Sequence, residues 1–245
     1  MQNFIICMKW GNRYGPEYVN RLERMTRRHC HIPYRFVCFT DDPLGISSSV
    51  ETLPLPHCRL PNRPSTEAWR KLSLFQSEIG FSGTCLFLDL DVVVVDSLQP
   101  LFEYPGEFCI IHNWTHSTRN TGNSSVMRFR TGVYHEVYEE FANDPDRITQ
   151  QFANEQSYLS DKINAGVGLT WWPVEWCKSF KKHCIARGVT RLFRQPILPD
   201  RCRIVVFHGR PNPPEAASRW VYRSEKLWRL PKLSRPASWI QEHWR

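Results

Sequence analysis

The 245-residue sequence predicts an α/β fold: a Rossmann-type, mostly parallel sheet wound on both faces by helices, with a smaller antiparallel element in its second half. Three observations predict it. Short apolar runs alternate with helix-length segments whose apolar residues recur at helical spacing. The crossovers are long enough for parallel pairing, which needs a helix-sized return. The most apolar run, Leu86 to Val95, is interrupted only by Asp89-Leu90-Asp91, as expected of a buried central strand that stops at two carboxylates.

In chain order, Phe4 to Met8 reads as a buried strand. A helix follows Gly15, with Pro16 at its first position and Tyr18, Val19, Leu22 and Met25 on one face. Tyr34 to Phe39 is a second strand, stopped by Thr40-Asp41-Asp42-Pro43, and Val50 to Leu53 a short third. After a proline-rich loop over 54–64, Ser65 or Thr66 is expected to cap a helix carrying Ala68, Trp69, Leu72, Phe75 and Ile79, ended by Gly80 and Gly83. Thr84 to Leu88 and Val92 to Val95 are strands, as are Phe108 to Ile111, Val126 to Phe129 and Arg203 to Phe207. Helices are expected near His135 to Ala142, Glu155 to Ile163 and Val174 to Cys184. Residues 1–218 are then expected to form one α/β domain, and 219–245 a basic, aromatic tail.

Composition excludes whole classes. With 41% apolar and 23% charged residues the chain is neither disordered nor fibrous. No run approaches the roughly 20 apolar residues of a membrane helix, and no targeting segment is visible, so a cytoplasmic location is expected. The nine cysteines are odd in number and show no CxxC pair, which favours reduced thiols acting as small hydrophobes. A net charge of +8 calls for an anionic partner: nucleic acid, an acidic membrane face or a phosphorylated substrate. The tail from Arg219 to Arg245 carries seven Lys or Arg against Glu225 and Glu242, with Trp220, Trp228, Trp239 and Trp244. That mixture suits an anionic membrane surface, so a peripheral position on the cytoplasmic face is expected.

The chemistry gathers at Asp89 and Asp91. Two carboxylates two residues apart at a strand end point the same way if strand geometry continues, and can hold one hard cation. Left unpaired beside Phe87-Leu88 and Val92-Val93, they would be costly. A hydrophobic strand, Asp-x-Asp, then a hydrophobic run, as in Leu86 to Val95, resembles the signature of GT-A glycosyltransferases. The likeness is greatest to family 8-type enzymes and related bacterial lipopolysaccharide transferases, which also have a late strand ending in histidine with a nearby glycine and basic residue. Here that element is His208-Gly209-Arg210-Pro211, with fewer residues between histidine and the basic residue than in family 8.

This resemblance implies a GT-A-like fold and transfer of a sugar from a nucleotide-sugar donor, a UDP-sugar by preference, to a glycan or glycolipid acceptor. It implies Mn²⁺ or Mg²⁺ held by Asp89, Asp91 and His208, with Arg210 meeting the diphosphate; an imidazole with two carboxylates suits such a cation, and a guanidinium fork complements phosphate. Lys9, Trp10, Gly11, Thr40 and Asp41 are expected at base and ribose, Arg70 and Lys71 on a helix leading to the donor, and Leu90 and Gly209 beside it. Glu155-Gln156 matches an acidic residue followed by glutamine near the reacting sugar, with Glu155 as candidate base, and Asn123-Ser124-Ser125 fits an acceptor contact. Two other readings compete. Asp89-Leu90-Asp91 also resembles the nucleophile motif of haloacid dehalogenase-like phosphatases, although that motif usually opens the first strand. A basic, aromatic nucleic-acid-binding module would explain the charge but not the aspartate pair, so nucleic acid is not expected as a partner.

Overall fold

A computed structural model describes residues 2–61, 66–114, 120–218, 220–222 and 232–245. In chain order the strands and helices are β1 (Asn3–Lys9), α1 (Pro16–His29), β2 (Arg35–Thr40), β3 (Glu51–Pro54), β4 (Thr84–Leu88), β5 (Val92–Val94), α2 (Gln99–Glu103), β6 (Cys109–His112), β7 (Gly122–Arg130), α3 (His135–Asn143), α4 (Pro145–Gln151), α5 (Glu155–Ala165), β8 (Thr170–Trp171), β9 (Cys177–Ser179), β10 (Ile204–Val206), α6 (Pro213–Ala217), β11 (Trp220–Tyr222), β12 (Lys232–Ser234) and α7 (Trp239–His243). Ser65 and Trp228 lie outside the described residues.

Seven strands form the main sheet in the order β3-β2-β1-β4-β7-β6-β8. β3 to β4 pair in parallel, β7 runs antiparallel to both β4 and β6, and β8 returns parallel to β6. A second sheet, β5-β10-β9, carries the continuation of β4 beyond the aspartates. The sheet is covered on both faces, so its central strands are apolar on both. In β1, Ile5 and Cys7 join a core with α1, β5 and β10, whereas Phe4, Ile6 and Met8 join a second core under α3 and α5. This period-2 division explains why these strands read as continuous apolar runs.

Two expected helices take other forms. The segment after Thr66 is a 3-10 helix over Glu67–Phe75, and Thr66 turns its hydroxyl to the Pro61 carbonyl instead of capping it. Lys71 to Phe75 are all buried, so the segment has no single apolar stripe for an amphipathic α-helix to present. Val174 to Cys184 contains β9 followed by a one-turn π-helix over Phe180–Cys184, because Cys177 to Ser179 pair in parallel with β10 and bury alternate side chains. β7 starts at Gly122, earlier than expected, and a bulge between Ile110 and Ile111 absorbs the extra length. All nine cysteines are free thiols, eight of them buried.

Arg128 on β7 fixes the connection from α2 to β6. Its Nη1 donates to the carbonyls of Leu101 (2.9 Å), Phe102 (3.0 Å) and Tyr104 (2.6 Å), and its Nη2 to that of Gly106 (2.5 Å). A cation here satisfies carbonyls that the end of α2 leaves unpaired. Gly106 has φ +128°, and a Cβ there would lie 2.4 Å from Thr170 Oγ1 at the start of β8. Only glycine fits both the turn and this approach.

The described tail packs on the body. Trp244 is buried with its ring 5.2 Å from that of Tyr18 and the Arg21 guanidinium 4.0 Å above it. Trp239 Nε1 donates to Pro196 O at 3.1 Å, and Arg28 donates to the carbonyls of His243 and Arg245. Two of the tryptophans assigned to a membrane surface thus have partners within the protein. Among the described residues no helix is long and apolar enough to cross a membrane.

Candidate functional site at the carboxyl edge of the sheet

β1, β2, β4, β6 and β8 all end at one edge, where ligands gather in open α/β sheets. Asp89 and Asp91 stand at its centre. The chain turns here rather than continuing as strand: Val92 N approaches Asp89 O at 3.4 Å, and Asp89 N donates to Ser125 O at 2.9 Å. The Lys71 ammonium lies 2.7 Å from Oδ1 and 2.9 Å from Oδ2 of Asp89. Tyr14, in the loop between β1 and α1, donates its hydroxyl to Asp91 Oδ2 at 2.7 Å.

The electrostatics follow from burial. Asp91 is 7% exposed, and desolvation, reinforced by the charge of Asp89, pushes its carboxyl up to about 7 against the Tyr14 hydrogen bond. Burial pulls the Lys71 ammonium down, but Asp89 and Glu155 outweigh it, and the group is raised overall. Burial and Asp91 raise the Tyr14 phenol, which stays a donor.

Lys71 also links Asp89 to the candidate acceptor residues. Its Nζ donates to Ser124 Oγ at 3.4 Å, Ser124 Oγ donates to Glu155 Oε1 at 2.9 Å, and Ser124 N donates to Gln156 Oε1 at 3.2 Å. Asn154 caps α5 by accepting from Ser157 N at 2.9 Å, so both acceptor-side residues sit in a first helical turn whose start is fixed. Asn123 Oδ1 accepts from Ser125 N, while Ser125 supplies the carbonyl that holds Asp89. Of that triplet, only Ser124 puts its side chain into the network with Lys71 and Glu155.

On the other side of the aspartates, the ends of β1 and β2 form a linked floor. Lys9 is buried and donates to Asp42 O at 3.3 Å, Thr40 Oγ1 donates to the same carbonyl at 3.0 Å, and Asp41 Oδ2 accepts from Gly11 N at 2.9 Å. Gly11 has φ +56°, and Trp10 packs half-buried below. Arg70 does not share the position of Lys71; its buried Nε has no hydrogen-bond partner among the described residues.

His208 follows β10, which runs antiparallel to β5 with Val206 opposite Val92. His208 lies two residues beyond Val206, past the end of that pairing, as Asp91 lies one residue before Val92. Its Nε2 lies 2.7 Å from Ser179 Oγ, Lys181 donates to its carbonyl, and the Trp114 ring is stacked 6.1 Å away. Burial, then Lys181 and Lys182, lower the imidazole to about 4, so it is neutral with a lone pair to offer. Leu90 is buried, leaving only its main chain to the site, and Gly209 has φ +65°. The Arg210 side chain is 72% exposed and only 3.8 Å from Glu215, so it is held weakly.

Among the described residues no three His, Cys, Asp or Glu side chains converge as a formed metal cluster; Asp89 is paired with Lys71 and His208 with Ser179. The donor set nevertheless fits a hard cation. Burial and then repulsion from the charge of Asp89 raise the Asp91 carboxyl; a divalent ion would relieve that repulsion, and the His208 imidazole is uncharged. The sequence reading overlooked Tyr14, Ser179 and Trp114. Tyr14 had a signal: an aromatic hydroxyl between Gly11 and Gly15 in the loop after the first strand. The other two had none.

No protein-family model matches the chain, and no curated protein does. Solved structures do. The chain is similar to the galactosyltransferase LgtC in complex with donor and acceptor sugar analogues, at 14% identity and TM-score 0.62, covering 98% of this chain and 94% of that one. An active-site mutant of LgtC matches at 14% identity and TM-score 0.59 over the same shares. The fold is therefore GT-A-like.

Proposed function

We propose that this protein transfers a sugar from a nucleoside diphosphate sugar, a UDP-sugar by preference, to a glycan or glycolipid acceptor. The observation that carries the reading is the Asp89-Leu90-Asp91 turn at the carboxyl edge of β4, with Asp91 raised to about 7, on a fold shared with a galactosyltransferase. Asp89, Asp91 and His208 would hold Mn²⁺ or Mg²⁺, whose charge, when bound, would neutralise that developing on a departing diphosphate. Lys71 adds a fixed ammonium beside the pair, and Arg210 an exposed guanidinium that is free to close on phosphate oxygens. Lys9, Trp10, Gly11, Thr40 and Asp41 would meet base and ribose. Glu155, accepting from Ser124, is the carboxylate placed to take a proton from an acceptor hydroxyl.

A thermal-shift screen of nucleoside diphosphates and nucleotide sugars, with and without Mn²⁺, tests the reading. A ligand at 100 times its Kd adds about 2.7 kcal/mol. For a chain of this size that is a rise of roughly 5–10 °C. The expected result is such a rise with UDP or a UDP-sugar and Mn²⁺ together. If no nucleotide shifts the transition, the reading fails.

The raised Asp91 also sets a pH dependence. A carboxyl whose pKa is higher in the folded than in the unfolded state favours folding while protonated, so the cation-free protein loses this contribution as pH rises from about 4 through about 7. A bound cation competes with that proton. Mn²⁺ should therefore bind roughly 20-fold more tightly at pH 7.5 than at pH 5.5, with one proton released at the lower pH. Calorimetric titration in buffers of different ionisation enthalpy measures both quantities. An affinity flat across this range would remove Asp91 from the cation site.

A further inference from the structure

Two strands from the aspartate turn, on the same edge, β6 and β8 end side by side at a pocket of about 410 Å³. Its lining is aromatic: Trp114 and Trp171 are half-buried, Trp172 and Pro173 lie beneath, and His112 and His183 stand at the rim. The rings brace one another. Trp171 meets His112 edge to face at 4.7 Å, Trp114 meets His183 at 6.0 Å, and Trp172 is fixed by its Nε1 donating to Val126 O at 3.1 Å. A pocket of this size falls within the usual range for small-molecule sites, roughly 300–1,000 Å³, and its walls are set before any ligand arrives.

The chemistry selects the guest. Half-exposed indoles offer flat apolar faces with a polar N–H at the edge, and the histidines add hydrogen-bonding nitrogens. A pyranose ring is complementary, with a face of C–H groups and a rim of hydroxyls. Position assigns its part: the β1 and β2 ends suited to a nucleotide lie on one side of Asp89 and Asp91, and this pocket lies on the other. Trp114, stacked 6.1 Å from His208, joins the pocket to the centre. We propose that the Trp114–Trp171 pocket is the acceptor subsite and that it holds a pyranose of the acceptor by its C–H face. The term acceptor rests on the glycosyltransferase reading above; the sugar-binding claim stands on the pocket alone.

Saturation-transfer NMR tests it on the full chain, with methyl glycosides of glucose, galactose and N-acetylglucosamine as probes, and with sorbitol as an acyclic control and uridine as a stacking control. The expected result is transfer to the ring protons of one face of at least one glycoside and none to sorbitol. Binding should weaken at least tenfold in Trp171→Ala and recover in part in Trp171→Phe. Val174→Arg, at a rim position 73% exposed, should block the mouth without disturbing the core and abolish the signal as well. Transfer to no glycoside, transfer that survives both Trp171→Ala and Val174→Arg, or uridine alone occupying the pocket would each overturn the assignment. The thermal-shift screen on the wild-type protein reads the donor side separately. Glycoside binding without nucleotide binding would therefore leave the pocket a sugar site and sink only the transferase reading.

Discussion

Asp91→Ala is expected to lower sugar transfer at least 100-fold while moving the melting temperature by no more than roughly 4 °C. The two halves of this expectation have separate causes. On the proposed function, loss of the carboxylate removes a charge from the centre that would stabilise the departing diphosphate, and one such group is commonly worth about 10²–10³ in rate. Stability is nearly balanced, because the Tyr14 hydroxyl loses its partner, a cost of about 1 kcal/mol, while a buried carboxylate in repulsion with Asp89 disappears. Asp89→Ala should differ in kind. It leaves the Lys71 ammonium buried without its carboxylate, so activity and stability fall together. Donor consumption in the presence of Mn²⁺, beside a melt followed by circular dichroism, separates the cases. Wild-type turnover and cation dependence in Asp91→Ala would refute the site.

The largest effect on stability is expected at Arg128. Its guanidinium donates to four main-chain carbonyls, and Arg128→Met would keep much of the volume while leaving those acceptors without a donor. A loss of about 3–5 kcal/mol follows from stripping a buried polar cluster of its charged partner. Arg128→Lys keeps the charge but not the planar fork, and should cost less, about 1–3 kcal/mol. Urea unfolding of the three proteins gives the order directly. A change below about 1 kcal/mol in Arg128→Met would show that the carbonyls find other donors.

Most strands were legible because the sheet is buried on both faces, which turns each central strand into an uninterrupted apolar run. Thr84 to Leu88 is found at the expected bounds. Harder were elements whose form depends on distant partners. The segment over Glu67–Phe75 has helical spacing but buries five consecutive residues, and β9 exists because β10 lies beside it. The site divides in the same way. Asp89, Asp91, Glu155, Gln156 and Ser124 were visible as motifs; Lys71 joins Asp89 to Ser124 and so to Glu155, a role as connector that no local pattern announced. Trp114 and Trp171 are separated by more than fifty residues and share a pocket only through the pairing of β6 with β8.

The antiparallel pairing of β5 with β10 makes those two strands a ruler. Val206 opposite Val92 fixes where the two strands leave the sheet, one residue from Asp91 on one and two from His208 on the other, whatever rotamers the side chains adopt. Valine-to-isoleucine exchanges along either strand leave the graduation untouched. Slipping one strand by a residue against the other would move the point where the chain leaves for His208 by about 3.4 Å relative to Asp91 and turn every side chain of the slipped strand to the opposite face. Whoever transplants the proposed centre to another scaffold must therefore carry both strands in register, because Asp89, Asp91 and His208 alone do not encode their own spacing.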